Sequence, residues 1–155
     1  MEYGSLVWMG ASATALRQLD KVQRRALKLI GPGTHLARLS HRRTVAALCY
    51  LYKLHYLPDL SSLKYLLPPP DMLQHARPTR QSTRARHSYQ LQAQNPTRSS
   101  LRHLRSFPNA VINTWNSLPP ALLRNPPDQR RAQTFKANVH RHLMHSNWLA
   151  STDSL

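Results

Sequence analysis

The sequence predicts a mainly α-helical, loop-rich small assembly, and three observations lead there. Residues 16–30 and 40–55 place apolar side chains at a helical period. A third stretch, from residue 128 to about 146, repeats Ala132, Phe135, Val139 and Leu143 on one face. Between them, 12 Pro and a long Arg-, Gln- and Ser-rich middle interrupt regular structure and leave little aliphatic surface for one large core.

Taken in order, residues 6–9 form a short apolar segment ahead of the first long helix. Ser12 or Thr14 can cap that helix, and Gly31-Pro32-Gly33 stops it. At about 100° per residue, Leu16, Leu19, Val22, Ala26, Leu29 and Ile30 share one face, whereas Arg17, Lys21, Arg24 and Lys28 form a basic stripe away from it. In the second helix Val45, Ala47, Leu48, Leu51, Tyr52 and Leu54 cover most of the circumference, so it should pack on two sides. Arg42, Arg43, Tyr50 and Lys53 take the remaining sector, and Pro58 ends the segment. Residues 71–106 read as an Arg-rich, poorly ordered linker in which the weak alternation Tyr89, Leu91, Ala93 allows one short hairpin. From Phe107 the pattern turns helical again, with Pro108 suited to the first helical position and Pro119-Pro120 as the stop. Asp128 is a plausible cap for the last helix, and a frayed tail is expected at 149–155. The organisation is thus a helical segment over 1–70, the linker over 71–106, a second helical segment over 107–148, and the tail.

Charge dominates the composition: 22 Lys plus Arg against 6 Asp plus Glu. A net +16 opposes compaction and favours a polyanionic partner. Arg outnumbers Lys, and its planar fork matches phosphate oxygens. The stripe Arg17, Lys21, Arg24, Lys28 lacks the Glu residues that solvated helix faces carry, and is the first candidate for contact with a nucleic-acid backbone. Arg42 and Arg43 are further candidates. So are Arg84 and Arg86, in a segment where Arg alternates with His and Tyr as in single-stranded RNA grips. The block Trp115, Asn116, Leu118, Pro119 reads as a structural anchor rather than a ligand site.

Other classes are disfavoured. The acidic residues are scattered, whereas two-metal phosphoryl transfer needs clustered carboxylates, so no catalytic residue is assigned. His140, His142 and His145 have no Cys, Asp or Glu near them in sequence, and no metal or cofactor is expected. The single Cys49 excludes an internal disulfide. No apolar run is long enough for a membrane span, and Glu2 makes a poor signal-peptide start, so a nuclear or cytoplasmic, non-secreted protein is expected.

Several blocks, in this order, resemble the C-terminal part of the reverse transcriptases encoded by non-LTR (LINE-type, jockey-like) retrotransposons. They are Glu2-Tyr3 with Trp8; Leu19, Val22-Gln23-Arg24-Arg25-Ala26-Leu27-Lys28 with Ile30; Arg42-Arg43 followed by Leu51-Tyr52-Lys53; Arg105-Ser106-Phe107; Trp115-Asn116-Ser117-Leu118-Pro119; and Phe135-Lys136. The resemblance implies the thumb and tail of an RNA-directed DNA polymerase that grips template–primer duplex or element RNA. It also implies a fragment, because the family's palm and fingers, which hold the catalytic Asp motif, have no counterpart here. On that basis residues 1–8 and 40–55 are expected to expose apolar surface that the palm would cover. Two alternatives stand beside it: an independent small basic RNA-binding protein of ribosomal type, and a non-functional relic of an element. No small-molecule substrate is expected on any of these readings.

Overall fold

The computed structural model describes residues 4–31, 36–70, 87–95, 97–123 and 129–152. The architecture is mainly α, and six α-helices order these segments: α1 Ser5–Trp8, α2 Ala13–Ile30, α3 Leu39–Tyr56, α4 Leu101–Arg105, α5 Asn109–Asn116 and α6 Gln129–Thr152. A 3-10 helix, Pro58–Leu66, follows α3, and a 3-10 turn, Pro120–Leu122, follows α5.

Local chemistry sets the helix ends. Ser12 Oγ accepts a hydrogen bond from the Ala15 amide at 3.2 Å, satisfying one of the unpaired donors at the start of α2. Gly31 ends α2 at φ 97°, a backbone region that side chains disfavour. The start of α3 is capped from outside. Gln23 of α2 accepts from the Leu39 amide and donates to the Ala37 carbonyl, both at 3.0 Å, which ties α2 to the first turn of α3. α6 runs to Thr152, so the frayed tail expected from 149 is helical for most of its length. Pro108 stands one position ahead of α5 rather than inside its first turn.

The core is built around α3. Val45, Ala47, Leu48, Leu51, Tyr52 and Leu54 are all buried, as a helix apolar all round requires. α5 supplies Val111, Ile112 and Trp115; Leu118 and Leu123 follow it; and α6 supplies Phe135 and Val139. Tyr52 stacks on Phe135 with ring centroids 4.0 Å apart and planes 11° from parallel. The exposed apolar surface expected on residues 40–55 is therefore absent. On α1, within residues 1–8, Val7 and Trp8 do face solvent as expected, and Val22, Leu29 and Ile30 of α2 are exposed as well.

The stretch read as a linker is also different. His87, Gln90 and Leu91 are buried. Leu91 makes a single antiparallel bridge with Pro70 rather than the start of a local hairpin. Its main chain is instead paired by a side chain from α5. Asn116 Oδ1 accepts from the Leu91 amide at 3.0 Å, while Asn116 Nδ2 donates to the Leu91 carbonyl at 2.7 Å. Trp115 Nε1 donates to the Tyr89 carbonyl at 2.7 Å. Trp115 and Asn116 are thus the clasp that holds residues 87–91 against the core, while Leu118 is buried in that core with Pro119 immediately beyond it.

Candidate nucleic-acid interface

α2 divides into three sectors. With Leu16 at zero and about 100° per residue, Leu16, Asp20, Gln23 and Leu27 fall within about 40° of one direction. These side chains are half-buried and turn toward α3. Arg17, Lys21, Arg24 and Lys28 occupy a sector from about 80° to 140°, and all four are exposed. The four span about 16 Å along the axis. Val22, Ala26 and Leu29 form the third sector, from about 220° to 280°, and are exposed too. The basic stripe therefore borders the packed face on one side, while an unpartnered apolar sector lies beyond Arg25 on the other.

No acidic side chain neutralises the stripe from within α2. Asp20, the only carboxylate on that helix, turns toward α3, where Arg43 approaches it at 3.7 Å. Arg24 Nε donates to the Asp20 carbonyl at 3.4 Å, a contact that leaves the guanidinium edge outward.

The other basic candidates are placed differently. Arg43 is buried against Asp20. Its guanidinium holds α2 to α3 and is not free for a phosphate, which corrects its place among the binding residues. Arg42 is half-buried and lines a groove between α3 and α6 together with Arg43. Arg84 and Arg86 lie outside the described residues. Arg98, Arg102 and Arg105 are exposed on and just before α4.

Two histidines, His55 and His87, pack in the interior. Among the described residues no three His, Cys, Asp or Glu side chains come together as a metal site. His87 Nε2 faces the Trp115 carbonyl at 2.8 Å, and its Nδ1 accepts from the Tyr89 amide at 3.2 Å. A carbonyl can only accept, so the ring is the neutral Nε2–H form. Burial lowers its pKa, against the opposing pull of the Trp115 carbonyl. His55 stacks on Trp115 at 5.4 Å with planes 8° apart. Burial, then Lys64 and His87, push its pKa down to about 4. Cys49 packs against the core, and burial raises its thiol to about 11, far from a reactive thiolate.

No family model, curated protein or solved structure matches the chain. No helix among the described residues is long and apolar enough to cross a membrane.

Gln23 is the residue that sequence reasoning missed. It lies within the Val22-Gln23-Arg24-Arg25 block of the resemblance, yet a Gln on an amphipathic helix reads as surface. Only its half-buried position at the seam with α3 reveals its role.

Proposed function

We propose that this chain is a non-catalytic thumb and tail segment of a non-LTR retrotransposon reverse transcriptase, and that α2 lies along the backbone of a template–primer duplex or of element RNA. The observation that carries the reading is the uncompensated row Arg17, Lys21, Arg24, Lys28, exposed along one sector of a helix whose orientation Gln23 and Asp20 fix. Cations held at helical spacing on a rigid element meet successive phosphates without further ordering. The exposed sector Val22, Ala26, Leu29, with Val7 and Trp8, fits contact with the palm and fingers that such a segment would have as partners. The residues of the Trp115 block act inside the fold, consistent with an anchor rather than a binding role.

A second reading, an independent small basic RNA-binding protein, is favoured by one observation: α3 is enclosed by this chain's own α5, α6 and residues 87–91. The two readings differ in their solution behaviour. A monomer with a sharp, concentration-independent unfolding transition supports the second, and association through α1 and α2 supports the first.

The binding test is a salt titration of affinity for a labelled 20-base-pair DNA duplex and the matching RNA–DNA hybrid. Each phosphate neutralised on B-DNA contributes about −0.9 to the slope of log K against log salt. Lys21→Glu with Lys28→Glu should flatten that slope by roughly two. The control pair, Lys53→Glu with Lys64→Glu, changes charge equally on exposed positions away from α2. Equal losses from both pairs would show that net charge alone matters, and α2 would then be no site.

A further inference from the structure

The groove between α3 and α6 has a volume of about 1000 Å³, large enough for a sizeable ligand or a peptide segment. α6 contributes Lys136, Ala137, His140, Arg141 and Met144, which share one helical stripe. From α3 come Leu39, Arg42, Arg43 and Ala46. Small residues, Ala46 and Ala137, leave the floor open, while cations from both helices line the walls and, among the described residues, no acidic side chain joins them. His41 and His140 join the two helices by a hydrogen bond, His41 Nε2 to His140 Nδ1 at 2.8 Å.

This combination discriminates among anions. A duplex backbone would leave Ala137 and Met144, both exposed, largely against water, because phosphates present little apolar surface to them. Unstacked bases sit on aromatic faces, and among the described residues no Trp, Tyr or Phe lines the groove. An amphipathic helix satisfies both halves: aliphatic side chains fill the floor, and Glu or Asp residues on its flanks meet Lys136 and Arg141. From Lys136 to Met144 the α6 wall runs about 12 Å, or roughly two helical turns of a bound segment. Met144, half-exposed and adaptable, suits a wall that moulds to an aliphatic partner.

We infer that the α3–α6 groove is a docking site for an acidic amphipathic helix of a partner protein. The inference is independent of the α2 reading, since it uses other helices and other side chains.

The test uses the full chain and a fluorescein-labelled 16-residue peptide with Leu at helical spacing and Glu on both flanks. A scrambled peptide of the same composition, with the Leu residues dispersed, is the comparison. Anisotropy should show the amphipathic peptide binding at least tenfold more tightly than the scrambled one. Lys136→Glu with Arg141→Glu should weaken it at least tenfold, and so should Ala137→Trp, which fills the floor without changing charge. Lys21→Glu with Lys28→Glu should leave the peptide affinity within twofold. All these positions are exposed, and matching helical circular dichroism checks that each variant folds. Equal binding of the two peptides, or no effect of Ala137→Trp, would overturn the inference. So would an oligo-dT strand that displaces the peptide and itself loses affinity on Ala137→Trp, since the groove would then be a single-strand site.

Discussion

Replacing Asn116 by Ala should destabilise the fold by about 2–3 kcal/mol. The side chain makes two hydrogen bonds to one residue, accepting from the Leu91 amide at 3.0 Å and donating to the Leu91 carbonyl at 2.7 Å. Leu91 is only 3% exposed, so its main-chain groups have little water to replace the lost partners. A stranded buried donor or acceptor costs about 1–3 kcal/mol. Asn116 itself is half-buried, which admits some water to the gap and sets the sum near the low end for two groups. Asn116→Asp is the sharper comparison. It keeps the acceptor for the Leu91 amide but turns a second acceptor toward the Leu91 carbonyl, so it should cost at least as much at pH 7. As pH falls the carboxyl, its pKa raised by that carbonyl, takes up a proton and can donate again, so its deficit against the parent should shrink. Urea unfolding followed by circular dichroism at 222 nm measures both. An Asn116→Ala change under about 0.5 kcal/mol would refute the reasoning, because Leu91 would then be paired or hydrated by other means.

Acid should loosen the fold through its buried histidines. His55, held at about 4, and His87, also lowered, stay neutral when folded, whereas an unfolded His titrates near 6.5, so stability is full above about 6.5 and falls between there and about 4. For His55 the loss is about 2 kcal/mol after allowance for the part of the ring that stays wet; His55→Phe, which retains a ring against Trp115, should reduce it, and an unchanged acid midpoint would count against it. Asp20→Asn should cost about 1–2 kcal/mol by leaving buried Arg43 without its counter-charge, and Arg43→Met on that background should recover part of it; additive losses in thermal unfolding would show that the pair is not coupled. Primer extension on a primed RNA template with magnesium or manganese should yield no template-dependent product, and a product surviving controls for contaminating polymerase would reverse that expectation.

The helices were legible because their signals are local. The Ser12 cap, the Gly31 stop and the all-round apolar pattern of α3 each depend on neighbours within a few turns. What escaped depends on residues far apart. Residues 87–91 carry His, Tyr and Gln and read as solvated linker; His87, Gln90 and Leu91 are buried because Trp115 and Asn116, some 25 positions later, pair the main chain of this stretch. The exposure of Val22 and Leu29 was equally invisible, since an apolar stripe does not say which part of it a neighbour covers. Of the basic candidates, the α2 stripe stands where periodicity placed it. Arg43 was misread because a single Asp on another helix can turn a surface-like cation inward. The groove on α6 needed α3 beside it: along the chain, Lys136 and Arg141 are only two cations on an outward face.

The central position of α3 has a consequence for the newly made protein. The helix is apolar around most of its circumference, but the residues that enclose it come late: Trp115, Phe135 and finally Val139, which is 83 positions beyond Tyr56. At a synthesis rate of about 5–20 residues per second, that delay is about 4–17 s. During it, Leu48, Leu51 and Tyr52 lack the part of their cover that Trp115, Phe135 and Val139 supply, and other apolar chains can take that place. The fold therefore closes only after most of the chain has been made, and its yield depends on how well that interval is protected from aggregation.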